Sequence, residues 1–90
     1  MNYLHHEVDA GPDDVIEVTL DGQANVMLLD SVNFGKYQKS ESFRYYGGLA
    51  EHSPNRLIPP DRGHWHVVID LGGYAGTVKA GVRVLSNSVR

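Results

Sequence analysis

Apolar and polar residues alternate with a period of two from one end of the chain to the other, and no apolar repeat of helical spacing runs for a useful length. That pattern sets one face of each segment against a core and turns the other away, which is the signature of half-buried antiparallel strands. In "VIEVTLD", Ile16, Val18 and Leu20 share a face opposite Glu17, Thr19 and Asp21. In residues 3–9, Leu4, His6 and Val8 oppose Tyr3, His5, Glu7 and Asp9. The run "ANVMLL" is apolar on both sides, so it reads as a central strand covered on both faces. About seven strands with turns every 8 to 12 residues predict an all-β fold, a single compact antiparallel sandwich or flattened barrel.

Turn chemistry divides the strands. "AGPDD" ends the first strand and Asp21-Gly22 is a strong short hairpin signal. The polar stretch "DSVNFGKYQKSES", residues 30–42, reads as the longest loop, after which "FRYY" resumes extended structure until Gly47-Gly48 breaks it. "RLI", between Ser-Pro and Pro-Pro, suits an edge strand. "HWHVVIDL", "GGYAG" and "TVKAGVRVL" together read as a hairpin, with Val78, Ala80, Val82 and Val84 on one side and Thr77, Lys79, Gly81 and Arg83 on the other.

Ninety residues are too few for two cores, so residues 1–85 are expected to form one all-β domain with 86–90 as a C-terminal tail. No stretch approaches the roughly 20 apolar residues that span a bilayer. The start "MNYLHHEVDA" lacks the pattern of a secretion signal, and a cytoplasmic location with no membrane contact is expected. Without cysteine, only histidine and carboxylate side chains are available to ligate a metal. A net charge of −3 argues against nucleic acid as partner. The first 35 residues hold seven acids and no Lys or Arg, while all eight Lys and Arg lie later against four acids. Early and late strands lying side by side would pair these charges within the chain. Head-to-tail contact between copies, giving a homo-oligomer, is the alternative.

The segment "GHWHVVID" carries the sharpest question. Parity groups Trp65 with Val67, Ile69 and Leu71, a core row, and sends His64 and His66 to the opposite face with Val68 and Asp70. The two imidazoles stand about 7 Å apart at Cβ, a spacing that permits chelation. A zinc site needs a third and usually a fourth ligand, for which His5, His52, Asp70 or a carboxylate from another strand are the candidates. No second His-x-His pair exists, and His5 and His6, being adjacent, face opposite ways. The plainer reading, and the one preferred, is a pair of partly exposed histidines hydrogen-bonded across the sheet, with no metal or cofactor assigned.

Arg44 and Tyr46 present a guanidinium beside a phenol, a pair suited to an anion or a sugar, opposite Phe43 and Tyr45. Arg44 paired with an early carboxylate is the structural reading. "YYGG" and "GGYAG" lack the Lys-Ser/Thr and the helix of a phosphate loop and read as turns or bulges. Ser53, His52 and Asp70 supply the residue types of a hydrolase, but "HSP" has neither a nucleophile elbow nor oxyanion glycines.

"VIEVTLDGQANVMLLD", "RYYGGLAEHSP" and "GHWHVVIDLGGYAGTVKAGVRVL" together resemble a small bacterial domain family of uncharacterised function, found stand-alone or joined to TIR signalling domains, over roughly residues 1 to 85. The resemblance carries over no activity; association with TIR domains implies a recognition or scaffolding role. Taken together, the residues point to a non-catalytic module that binds an unidentified small molecule or protein through Arg44, Tyr46, His64 and His66, bordered by the 30–42 loop. A metal-dependent enzyme using His64 and His66, and a self-associating structural protein, are the alternatives. Five histidines also allow a response to pH near 6.5.

Overall fold

A computed structural model describes residues 3–72 and 76–86 of the chain. It contains β1 (Tyr3–Ala10), β2 (Asp14–Leu20), β3 (Ala24–Leu29), α1 (Ser31–Gln38), β4 (Tyr46–Ala50), β5 (Asn55–Leu57), β6 (Gly63–Asp70) and β7 (Ala80–Ser86). The strands form two sheets, a four-stranded one in the order β1-β6-β3-β4 and a three-stranded one in the order β5-β2-β7, with every pairing antiparallel. The architecture is a sandwich and not a closed barrel. None of the helices among the described residues is long and apolar enough to cross a membrane.

Parity places the main core between the sheets. Val26 and Leu28 of β3, Trp65, Val67 and Ile69 of β6, and Ile16 and Val18 of β2 are buried there together. Partly buried Val78, Ala80 and Val82 pack against them from the opposing sheet and the segment leading into it. The indole of Trp65 donates to the carbonyl of Asp61 at 3.1 Å, so its one polar atom is satisfied. Each large apolar side chain taken from water here contributes roughly 1.5–3 kcal/mol. β3, second from the β4 edge, is buried on its other face too: Met27 and Leu29 join Val68 of β6 and Phe34 and Tyr37 of α1 in a second cluster. This double covering is why "ANVMLL" has no polar face.

Residues 30–42 are not a continuous loop. Asp30 accepts the backbone N–H of Asn33 at 2.8 Å and caps α1, an eight-residue helix that lays Phe34 and Tyr37 on the sheet. Two turns carry only one i, i+3 apolar pair, and Asn33 and Gly35 interrupt it, so the helical period was too short to stand out. "FRYY" is strand only from Tyr46, and Gly47-Gly48 lie inside β4 instead of ending it. Gly47 has φ of 114°, and a Cβ there would collide with the Val26 carbonyl oxygen, so glycine lets this edge strand lie close against β3.

Two expected hairpins are also corrected. Asp21-Gly22 joins β2 in one sheet to β3 in the other, and β6 and β7 likewise belong to different sheets. β3 and β6 are the strands buried on both faces, and β6 already has β1 and β3 as neighbours, leaving β7 to pair with β2. At the first crossing Asp21 is tied to the segment before β7, its side chain accepting the Lys79 N–H at 2.7 Å. Residues 73–75 of "GGYAG" and 87–90 of the expected 86–90 tail lie outside the described residues, while Ser86 is the last residue of β7. β5 is an edge strand as expected.

The lopsided charge of the chain closes on itself. Glu17, buried in β2, sits directly across from Arg56 of β5 and Arg83 of β7, at 3.0 and 2.7 Å. Asp14 takes Arg62 at 3.0 Å. The intramolecular pairing of early acids with later bases is thus present, with arginines other than Arg44.

Candidate functional site

The pairing of β1 with β6 builds the site. Glu7 stands opposite His66, Asp9 opposite His64 and His5 opposite Val68. Residues directly opposite in a ladder project to the same side. The acidic face of β1 and the histidine face of β6 therefore merge into one patch on the side of the sheet that carries α1.

His64 is the outer histidine. Its Nε2 lies 2.8 Å from Glu7 Oε1 and its Nδ1 2.9 Å from Asp9 Oδ1, so one imidazole bridges two carboxylates. Hydrogen bonds to Glu7 and then Asp9 favour the imidazolium and raise the His64 pKa above its ordinary 6.5. The reciprocal bond holds the Glu7 carboxyl below its ordinary range. Both groups are roughly half exposed, so solvent screens the attraction.

His66 is the inner histidine and is buried, not partly exposed. Its ring stacks on Phe34 of α1 with centroids 4.5 Å apart, Nε2 meets Ser31 Oγ at 3.0 Å, and Nδ1 meets His5 Nε2 at 2.8 Å. His5 also stacks on Phe34, at 4.2 Å. Burial, followed by the nearby His5, pushes the His66 pKa down and favours the neutral ring, with one N–H and one lone pair. Two histidines only two residues apart are thus pushed in opposite directions, His66 toward the neutral ring by burial under the helix and His64 toward the charged ring by its two carboxylates.

Beneath the patch, Tyr37 donates to Asp70 Oδ2 at 2.8 Å, while Asp70 Oδ1 accepts from Asn25 Nδ2 at 3.1 Å and from the Gly72 N–H at 2.9 Å. Burial and the adjacent carboxylate push the Tyr37 phenol upward. These bonds fix the helix to the sheet and with it the lid over His66.

Of the four residues singled out from sequence, the structure joins His64 and His66, whose rings are 5.2 Å apart and perpendicular. Tyr46 pairs with Leu28 and packs edge-on against Trp65 at 6.1 Å, which places it on the opposite face of the sheet. Arg44 is exposed in the segment after α1, where its backbone N–H is held by Asn33 Oδ1 at 2.8 Å. No ion pair among the described residues involves it. Glu7, Asp9 and Ser31 belong to the patch but carry no local motif. Parity did set His5, Glu7 and Asp9 on one face of β1; the missing knowledge was that β6 is its neighbour.

Chemically, Ser31, His66 and His5 are spaced like a nucleophile, a base and an orienting group. The electrostatics oppose that use. Burial disfavours the imidazolium that a base must become, and the Asp30 carboxylate occupies the helix N-terminus where donors would receive an oxyanion. Ser53 instead accepts the Leu20 N–H at 2.9 Å, and Asp70 serves Tyr37, so the Ser53–His52–Asp70 combination is not assembled. The same patch does have ligand geometry: one donor atom each from Glu7, His64 and His66 lies within 4.8 Å of the others.

The chain matches, over residues 1–88, the family described as "Domain of unknown function (DUF1883)", and it belongs to that family. No curated protein and no solved structure matches it.

Proposed function

We propose that this DUF1883 domain is a non-catalytic recognition module whose ligand or partner docks on the patch of His64 and His66, extended by His5, Glu7 and Asp9. The observation that carries the reading is the convergence of imidazoles and carboxylates from β1 and β6 on one open face, with His64 and Glu7 half exposed and ready to exchange their mutual bond for one to a ligand. Arg44, exposed in the segment after α1 and in no ion pair among the described residues, is kept as the guanidinium donor of the docking surface. Tyr46 lies on the other side of the sheet and drops out of the docking surface. The resemblance to small bacterial domains joined to TIR domains fits a recognition part in cytoplasmic signalling.

Side-chain NMR of the histidines and carboxylates, followed during titration with small anions, sugars, nucleotides and short peptides, tests the reading. Shifts at His64, His66 and Glu7 with at least one of these classes are expected. Shifts confined to Tyr46 and Trp65 would move the site to the opposite face and refute this one.

A further inference from the structure

We infer that Glu7, His64 and His66 form a binding site for a divalent transition metal of the Zn2+, Co2+ and Ni2+ class, an inference that rests on reading the β1/β6 patch as the binding surface.

The donor set comes first. Two imidazoles and one carboxylate are the ligands that borderline metals prefer, whereas Ca2+ and Mg2+ seek oxygen throughout. Bonds of about 2.0–2.2 Å arranged tetrahedrally put neighbouring donor atoms about 3.3–3.6 Å apart. The three atoms here lie within 4.8 Å of one another, so gathering them around one ion takes a contraction of an ångström or so. The exposed partners supply it: Glu7 and His64 are half exposed and held by side-chain hydrogen bonds alone, which a cation can replace, while His66 is clamped by Phe34 and by its neighbours.

The surrounding shell is the second observation, and it assigns the nitrogens. A metal-bound imidazole ordinarily gives its other N–H to a carboxylate or hydroxyl, which fixes the ring. His64 has Asp9 on Nδ1, leaving Nε2, the atom now bonded to Glu7, for the metal. His66 has Ser31 on Nε2, on the helix side, leaving Nδ1 to face β1. Each histidine therefore already has one nitrogen held by an oxygen and the other turned toward β1. A cation between them displaces the Nε2 proton of His64 to solvent and replaces the His64–Glu7 hydrogen bond and the His66–His5 contact with metal bonds. It leaves one position, facing solvent, for water or for His5, whose Nε2 is 2.8 Å from His66 Nδ1. The two carboxylates, Glu7 and Asp9, provide the negative charge that receives the ion. Because the ligands come from both β1 and β6, metal binding would pin the edge strand to its neighbour.

The test uses the full chain without a polyhistidine tag, titrated with Zn2+ by calorimetry and with Co2+ by visible absorption. One equivalent of saturable binding is expected, with the intense visible bands of four-coordinate Co2+. Glu7→Gln and His64→Gln, both at exposed positions, are expected to weaken Zn2+ by about 10-fold or more, and Asp9→Asn by about 10-fold through loss of the outer partner. His52→Gln, far from the patch in sequence and exposed, is expected to leave the affinity unchanged. His66→Gln is read only alongside a near-ultraviolet circular dichroism spectrum, since His66 is buried. Absence of one-to-one Zn2+ binding overturns the inference, as does binding that Glu7→Gln and His64→Gln leave within about twofold, well short of the expected loss. If Zn2+ fails in either way while metal-free ligands still shift His64 and Glu7 signals, the recognition reading survives without the metal. If neither perturbs the patch, both readings fall together.

Discussion

Glu17 shows how much one residue can organise. Its carboxylate is buried between two guanidiniums on neighbouring strands, and the bond from Arg83, with that from Arg56, holds its pKa below the ordinary 4.5. A carboxyl depressed in the folded state stabilises the fold above its unfolded value, and that contribution disappears as pH falls through the folded value. Thermal unfolding followed from pH 7 downward is therefore expected to lose stability below about 4.5, with a shallower loss for Glu17→Gln. Parallel losses in the two proteins would assign the acid sensitivity elsewhere. Tyr37→Phe removes the donor from Asp70 and leaves a buried carboxylate oxygen short of a partner, at an expected cost of about 1–3 kcal/mol in urea unfolding.

Among the elements, α1 depends most on its surroundings. An isolated helix of eight residues does not hold itself in water, so its cap and its two buried rings decide whether it forms. Asp30→Ala removes the bond to the Asn33 N–H and is expected to cost about 1 kcal/mol. Phe34→Ala is expected to cost about 3–5 kcal/mol and, more tellingly, to expose His66 to solvent. Histidine NMR on that variant should show the His66 titration moving up toward the ordinary range, because the burial that lowered it is gone. An unmoved titration would mean that the helix is not what desolvates the ring.

At the scale of the molecule, sequence neighbours are mostly kept apart. Among the described residues only β3 and β4 are both consecutive and paired, whereas β1 waits for β6 and β2 for β7. Folding that closes such long loops is slow for its size, and stopped-flow refolding in the millisecond-to-second range is expected. The internal pairing of Glu17 and Asp14 with three arginines bears on self-association as well. Raising salt from about 0.05 to 0.5 M screens exposed charges, and is expected to lower the melting temperature slightly while leaving the mass from light scattering unchanged. A mass that falls with salt would instead reveal copies joined through their unlike charges.

What the sequence determined by itself is parity. The alternation sends Trp65 inward with Val67 and Ile69, puts His64 and His66 on the other side, marks β3 as covered on both faces and yields about seven strands in a sandwich or flattened barrel; each of these follows from the two-residue repeat of an extended backbone, a local property. Which strands become neighbours is not local. The turn at Asp21-Gly22 is compatible with a hairpin and with a crossing between sheets, and only the need to bury both faces of β3 and β6 chooses the crossing. The same choice sets Glu7 and Asp9 against His64, folds α1 down over His66 and carries Tyr46 away to the Trp65 side. The histidines were legible one at a time; the site they form exists because tertiary packing, acting over more than fifty intervening residues, made β1 the partner of β6.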